Sequence, residues 1–196
     1  MKFKPSLLLL LCLFYGNTAL ADEAVFAGGC FWCMEADFEK VKGVSDVVSG
    51  FTGGTHKNPT YSGGHDGHYE AVLVTYDPKI VSYQQLLDHY WVNIDPLDPR
   101  GQFCDKGSAY LSAIFVADKT QRELAQASLK KVVEKFKGQI VATPVLDLTT
   151  FYPIKGKESY HQDYYKNNPV RYKFYRFSCG RDRRLNELWG EQPQAK

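Results

Sequence analysis

The apolar positions of this chain change period along its length, and each change marks an element. Ala24-Val25-Phe26-Ala27 is a short continuous apolar run that reads as a strand, and it enters Gly28-Gly29. Beyond the glycines Phe31, Met34, Phe38 and Val41 recur at helical spacing until Gly43 interrupts them. Val44 to Phe51 reads as a second strand, and the polar, Gly- and His-rich stretch from Gly53 to Gly67 as a loop. Tyr69 to Tyr76 is the clearest strand, largely apolar on both alternating faces, as in a central strand covered on each side. Glu70 intrudes on the face otherwise formed by Val72, Val74 and Tyr76.

Ser82 with Gln85 forms a capping box for a helix carrying Leu86, Leu87, Tyr90 and Trp91. Asn93 to Gly107 is a long loop of the kind that often carries function. A strand over Tyr110–Val116, a helix over Thr120–Phe136 and a strand over Ile140–Leu148 follow. Leu124, Leu129, Val132, Val133 and Phe136 are the expected inward set of that helix. A His/Tyr-rich segment, Tyr160 to Tyr165, precedes a basic tail that ends near Trp189. Strands alternating with helices predict α/β or α+β layering on a mixed sheet.

The N-terminus has the pattern of an export signal. Lys2 and Lys4 precede an apolar run from Leu7 to Tyr15, and Ala19-Leu20-Ala21 is a cleavage site of A-x-A type. The run is short for a membrane span, so the expected division is a signal peptide over 1–21 and one domain over 22–196, with no membrane attachment after cleavage. Loss of residues 1–21 removes two lysines and no acidic residue, taking the formal charge from +2 to zero. A neutral chain offers no electrostatic reason to bind nucleic acid or anionic lipid.

Cys12 leaves with the signal, and Cys30, Cys33, Cys104 and Cys179 remain. Two structural disulfides are the default for an exported chain, but a domain of this length does not need them. Cys30 and Cys33 stand in C-x-x-C spacing at a strand-to-helix turn, where the helix start is expected to lower the Cys30 thiol pKa. A bridge between them would close a very small loop and stabilise little, which favours redox chemistry. A zinc site made by the four thiolates is the rival, although neither Cys104 nor Cys179 has a second close cysteine. Glu70 would have a raised pKa if its strand buries it, and an ordinary one if it lies at the strand's wet end.

Five ordered segments then carry a resemblance. They are Gly29-Cys30-Phe31-Trp32-Cys33, Gly50-Phe51-Thr52-Gly53-Gly54, Gly67-His68-Tyr69-Glu70-Ala71-Val72, Cys104-Asp105-Lys106-Gly107-Ser108-Ala109-Tyr110 and Tyr160-His161-Gln162-Asp163-Tyr164-Tyr165. Together, from about Ala24 to Trp189, the chain resembles the A class of peptide methionine sulfoxide reductases, which reduce the S-epimer of methionine sulfoxide. The fold expected with that resemblance is α+β: one domain, a two-layer α/β sandwich of ferredoxin-like type around a mixed central sheet with long loops.

The resemblance implies that Cys30 attacks the sulfoxide sulfur and becomes a sulfenic acid. Phe31 and Trp32 would hold the S-methyl group, and Glu70 would protonate the sulfoxide oxygen. Asp105 and Tyr110 would organise that oxygen, with His161 and Tyr164 behind them. The family commonly has Tyr where this chain has Phe51, so one oxygen-binding hydroxyl is expected to be missing and Tyr110 and Glu70 to carry more of the polarisation. Cys33 is the expected first resolver of the sulfenic acid, Cys179 a relay toward the surface, and Cys104 an idle thiol.

Neither metal nor organic cofactor is implied. The implied partners are oxidised proteins or free methionine sulfoxide, with thioredoxin or another dithiol protein as reductant. The expected location is an exported compartment, the periplasm of a Gram-negative-type cell. A general thiol-disulfide oxidoreductase would explain Cys30 and Cys33 but leave Glu70, Asp105 and Tyr110 without roles.

Overall fold

The computed structural model describes residues 21–190, so the expected signal peptide lies outside the described residues except for Ala21. Strand β1 (Asp22–Gly28) leads through Gly29 into helix α1 (Phe31–Phe38); β2 (Val44–Thr52), β3 (Tyr69–Tyr76) and helix α2 (Tyr83–Val92) follow. A small hairpin, β4 (Gly101–Gln102) with β5 (Asp105–Lys106), and a 3-10 turn at Ser108–Tyr110 precede β6 (Ser112–Val116) and helix α3 (Lys119–Lys135). Short strands β7 (Val145–Asp147) and β8 (Tyr152–Pro153), a 3-10 segment Gly156–His161, and helices α4 (Tyr164–Asn167), α5 (Pro169–Ser178) and α6 (Arg181–Trp189) complete the chain.

The main sheet runs β7-β6-β1-β3-β2-β8, antiparallel throughout except for the parallel β6/β7 pair. Its four long strands, taken in chain order, lie fourth, first, third, second, with α1 and α2 as crossovers. That is the split βαβ arrangement of ferredoxin-like folds and the expected class. β3 is central, as its two apolar faces required.

One face of the sheet builds the large core, where Phe26, Phe31, Met34, Phe38, Val72, Val74, Leu86, Leu87 and Tyr90 are buried. The other face carries a smaller cluster of Val25, Ala27, Ala71, Ala113 and Phe115, flanked by Tyr69, Leu73, Leu146, Leu148 and Phe151. The predicted capping box is present: the Ser82 hydroxyl accepts the Gln85 N–H, and the Gln85 side chain accepts the Ser82 N–H.

Three element boundaries differ from expectation. The strand expected from Tyr110 starts at Ser112, because Ser108–Tyr110 closes a 3-10 turn that aims Tyr110 out of the sheet line. The strand expected over Ile140–Leu148 shrinks to Val145–Asp147, where it finds a partner in β6. In α3 the inward face is Ala125, Ser128 and Val132, while Val133 is exposed and Leu124 and Leu129 are only partly covered. Ser128 faces inward because its hydroxyl accepts the Trp91 Nε1–H at 2.7 Å.

Candidate active site

The strand-to-helix turn holding the C-x-x-C pair depends on its two glycines. A Cβ on Gly28 would lie 2.4 Å from Met34 Sδ, and on Gly29, at φ +83°, 2.5 Å from Gln102 Cβ. Cys30 is the N-cap residue of α1, and its carbonyl accepts the Cys33 N–H at 3.1 Å. Its thiol makes no capping bond. The Phe31 N–H of the first turn instead donates to Glu70 Oε2 at 3.1 Å.

Glu70 is thus buried and bonded rather than wet at a strand end. Phe51 stands opposite it in the β2/β3 register, and Phe51 packs edge-on to Phe31 at 6.1 Å. Burial in this aromatic setting pushes the Glu70 carboxyl up to about 8, against the pull of the Phe31 N–H bond. A proton therefore resides on it at neutral pH.

Both thiols are free and buried, and their sulfurs lie within hydrogen-bonding reach of each other. The expectation that the helix start lowers the Cys30 pKa is corrected here. Burial raises it, the Cys33 and Glu70 charges oppose ionisation further, and the first-turn N–H that would have favoured a thiolate is spent on Glu70. Cys33 is instead lowered to about 7, first by the bond from Cys30 and then, against burial, by the guanidinium groups of Arg181 and Arg176. The resting pair holds its shared proton on Cys30.

Around the pair stands an aromatic wall. Trp32 stacks on Tyr164 with ring centres 3.8 Å apart and lies near-parallel to His161 at 5.5 Å. Its Nε1–H donates to His161 Nδ1 at 3.0 Å, so His161 carries its proton on Nε2. Burial lowers the His161 pKa against the pull of Glu158, leaving the ring neutral. The segment bearing His161 and Tyr164 is fastened by Gln162, which accepts the Ser49 N–H at 2.8 Å and donates to the Ser49 carbonyl at 2.7 Å. Buried Glu35 of α1 adds to it, accepting the Asp163 N–H at 3.0 Å.

Asp105 and Tyr110 face the same space. Burial raises both pKa values, and Glu70, Tyr61, Asp105 and Cys30 all add to the rise at Tyr110. Sequence reasoning missed two residues. Tyr61, in the loop after β2, packs edge-on to Phe31 at 6.1 Å and against His161 at 3.9 Å. Burial, with the Glu70 and Cys30 charges, pushes its phenol up to about 12. Glu158 holds that loop by accepting the Tyr61 and Ser62 N–H groups at 2.7 and 2.9 Å. A tyrosine thus stands close enough to Glu70 and Cys30 to feel their charges, and Phe51 supplies apolar surface behind the acid. Tyr61 lies within the polar loop, where only the Asn-Pro-Thr-Tyr aromatic hinted at it. The second missed residue is Tyr175, whose hydroxyl donates to Asp105 Oδ2.

Cys104 is no idle thiol. It is bonded to Cys179, with Cα atoms 4.8 Å apart, which also overturns the four-thiolate zinc alternative. The two cysteines are 75 residues apart, and no sequence spacing pairs them. Cys104 is exposed and Cys179 half-buried, so this disulfide faces solvent while Cys30 and Cys33 do not.

Comparison with known proteins agrees with this geometry. The family model described as peptide methionine sulfoxide reductase matches residues 22–193. A Caulobacter vibrioides protein named peptide methionine sulfoxide reductase MsrA 2 is 49% identical over 172 residues, 86% of each chain. Among solved structures, Mxr1 of Saccharomyces cerevisiae in reduced form gives a TM-score of 0.69 at 26% identity, covering 79% of this chain and 89% of that one. Methionine sulfoxide reductase A of Corynebacterium diphtheriae gives 0.66 at 29% identity, covering 79% and 78%. The yeast protein in complex with Trx2 shares the fold at a TM-score of 0.51 and 20% identity, over 76% of this chain and 87% of that one.

Proposed function

Because the chain belongs to the peptide methionine sulfoxide reductase family, we propose that the Cys30 site reduces the S-epimer of methionine sulfoxide, free or within proteins, by attack of the Cys30 sulfur on the sulfoxide sulfur. The observation that carries this reading is a protonated acid beside the buried nucleophile: Glu70, bonded to the Phe31 N–H, against Cys30.

The proton count closes with the groups present. Cys30 passes its proton to the Cys33 sulfur and attacks; Glu70 gives its proton to the sulfoxide oxygen, which moves to Cys30 as methionine leaves. Cys30 is then a sulfenic acid. The Cys33 sulfur attacks Cys30, its proton joins the departing hydroxyl as water, and a Cys30–Cys33 disulfide remains. Two electrons have passed from the thiols to the sulfoxide, and Glu70 ends as the carboxylate. Residues three apart in the first helical turn are within disulfide reach, which makes Cys33 the first resolver.

Phe31 and Trp32 form the wall for the S-methyl group; Tyr61, Tyr110 and Asp105 surround the oxygen. His161 and Tyr164 hold the Trp32 ring. The reaction uses side chains alone and needs a dithiol to restart it. A thioredoxin-like protein is the reductant of this reading, supported by the Trx2 complex of the yeast relative, and the Cys104–Cys179 pair, facing solvent, is its relay. The N-terminal pattern supports reading the protein as an exported one that repairs oxidised proteins of the periplasm; N-terminal sequencing of the mature chain, expected to begin at Asp22, tests that part.

The decisive assay for the activity omits reductant. About one methionine is released per Cys30 from the S-sulfoxide and none from the R-epimer, and Cys30→Ser releases none. Equal release from both epimers, or activity in Cys30→Ser, overturns the reading.

A further inference from the structure

No backbone N–H of the helix start bonds the Cys30 sulfur. The Phe31 N–H is committed to Glu70, and the Cys30 side chain caps no backbone group. The titratable groups facing Cys30 are Cys33 on α1, Glu70 on β3, Tyr61 in the loop after β2, Tyr110 in the 3-10 turn and Tyr175 on α5, with Asp105 on β5 behind Tyr175. Cys33 and Glu70 disfavour a Cys30 thiolate; the Tyr175 hydrogen bond favours one.

Tyr175 is held in place from two sides. Its hydroxyl donates to Asp105 Oδ2 and lies within hydrogen-bonding reach of the Cys30 sulfur, and its ring stands edge-on to Trp32 at 5.7 Å. Cys179, whose N–H donates to the Tyr175 carbonyl at 2.9 Å, is bonded to Cys104, the residue before Asp105. The next residue, Arg176, places Nη1 at 3.0 Å from each carboxylate oxygen of Asp37 on α1. α5 is thereby fixed to β5, which carries Asp105, and to α1, which begins at Cys30. One hydroxyl proton stands between two acceptors, a carboxylate and a sulfur.

We infer that Tyr175 is a catalytic residue of the sulfoxide reduction: its hydroxyl turns from Asp105 to the Cys30 sulfur as that sulfur passes its proton to Cys33, and stabilises the attacking thiolate. No proton leaves Tyr175 in this step; one hydrogen bond is exchanged for another. Burial raises the Asp105 pKa, and when Asp105 loses the Tyr175 donor the nearby charges of Arg181 and Lys106 still oppose that rise. While closed, the Cys104–Cys179 disulfide acts as a positioning tether, since it fixes the turn of α5 that carries Tyr175; its relay role opens it only after the sulfoxide step.

The inference rests on Cys30 being the nucleophile, and the experiment separates the two. Tyr175→Phe keeps the ring against Trp32 and removes only the hydroxyl. At neutral pH its single-turnover methionine release is expected to fall about tenfold with KM unchanged, the size of one lost hydrogen bond to a charged group. The pH midpoint for alkylation of Cys30, read by mass spectrometry of its peptide, is expected to rise by about one unit. Glu70 loses its proton above about pH 8 in both proteins, so it is the variant's release relative to wild type at the same pH that should recover as pH is raised. Cys104→Ser with Cys179→Ser should shift the same midpoint upward by a smaller amount, and its thermal melt shows whether the fold survives. An unmoved midpoint in a folded Tyr175→Phe variant overturns the inference, whatever its rate, as does a change confined to KM, which marks a pocket wall. Sulfoxide reduction by Cys30→Ser would instead sink the underlying reading.

Discussion

The Phe31 N–H and the Glu70 carboxyl meet at 3.1 Å although 39 residues separate them. This one bond joins the first turn of α1 to the central strand and directs the helix's positive end to the acid rather than to the cysteine beside it. The acid is held at the first turn beside Cys30, whose sulfur takes no bond from that turn.

Glu70 is expected to act in its protonated form. Its raised value, about 8, means the proton is present below that pH and is lost as pH rises through it. Single-turnover methionine release should therefore decline above about pH 8, and Glu70→Gln, which removes the proton donor, should reduce release by roughly 100-fold or more. Rapid-quench measurement across the pH range checks both; a Glu70→Gln variant close to wild type removes Glu70 from the mechanism.

Resolution is expected within α1. One equivalent of methionine-S-sulfoxide should leave wild-type protein with a Cys30–Cys33 disulfide, seen by peptide mapping under non-reducing conditions. Cys33→Ser should still release the first methionine but retain a sulfenic acid on Cys30 that dimedone traps. A Cys30–Cys179 bond as the first product in wild type reverses the order.

Asp37 should be a stability determinant. It is buried, and although burial alone would raise its pKa, Arg176, Arg181 and Lys40 hold the carboxyl below the usual range. Such a lowered carboxylate contributes stability above its ordinary pKa and loses it as pH falls through the folded value. Asp37→Asn leaves the buried Arg181 without its counter-charge and Arg176 with only the exposed Asp182, and should cost about 3 kcal/mol or more in urea unfolding at neutral pH. A loss under about 1 kcal/mol, the worth of a surface pair, contradicts this account.

Glu35 predicts the opposite pH trend. Burial lifts its carboxyl to about 7 from an ordinary 4.5, against the bonds from the Asp163 N–H and the Ser49 hydroxyl. The unfolded chain releases this proton first, so the group costs stability progressively as pH rises between those two values. Glu35→Gln keeps an acceptor for the Asp163 N–H and should narrow the difference between unfolding free energies measured at pH 5 and pH 8. An unchanged difference shows that the carboxyl titrates normally.

Neighbouring residues along the chain set the local frame of the site and its chemistry. The apolar run, the glycine pair and the i, i+3, i+7 spacing of Phe31, Met34 and Phe38 are properties of neighbouring residues, and strand, turn and helix appear where they require. The two apolar faces of Tyr69–Tyr76 likewise fixed β3 as central and so made burial of Glu70 a definite alternative. Which of two states each polar group took was settled by packing. Whether Glu70 is wet or buried depends on Phe51, a residue of another strand; which thiol holds the proton depends on arginines more than 140 positions away, in α5 and α6. Cys104 pairs with Cys179, and Tyr61 and Tyr175 reach the site, because loop and helix packing brings them there. Periodicity reports what a residue does with its immediate neighbours, whereas desolvation and charge act through whatever the folded chain places within a few ångströms, and that is set by packing.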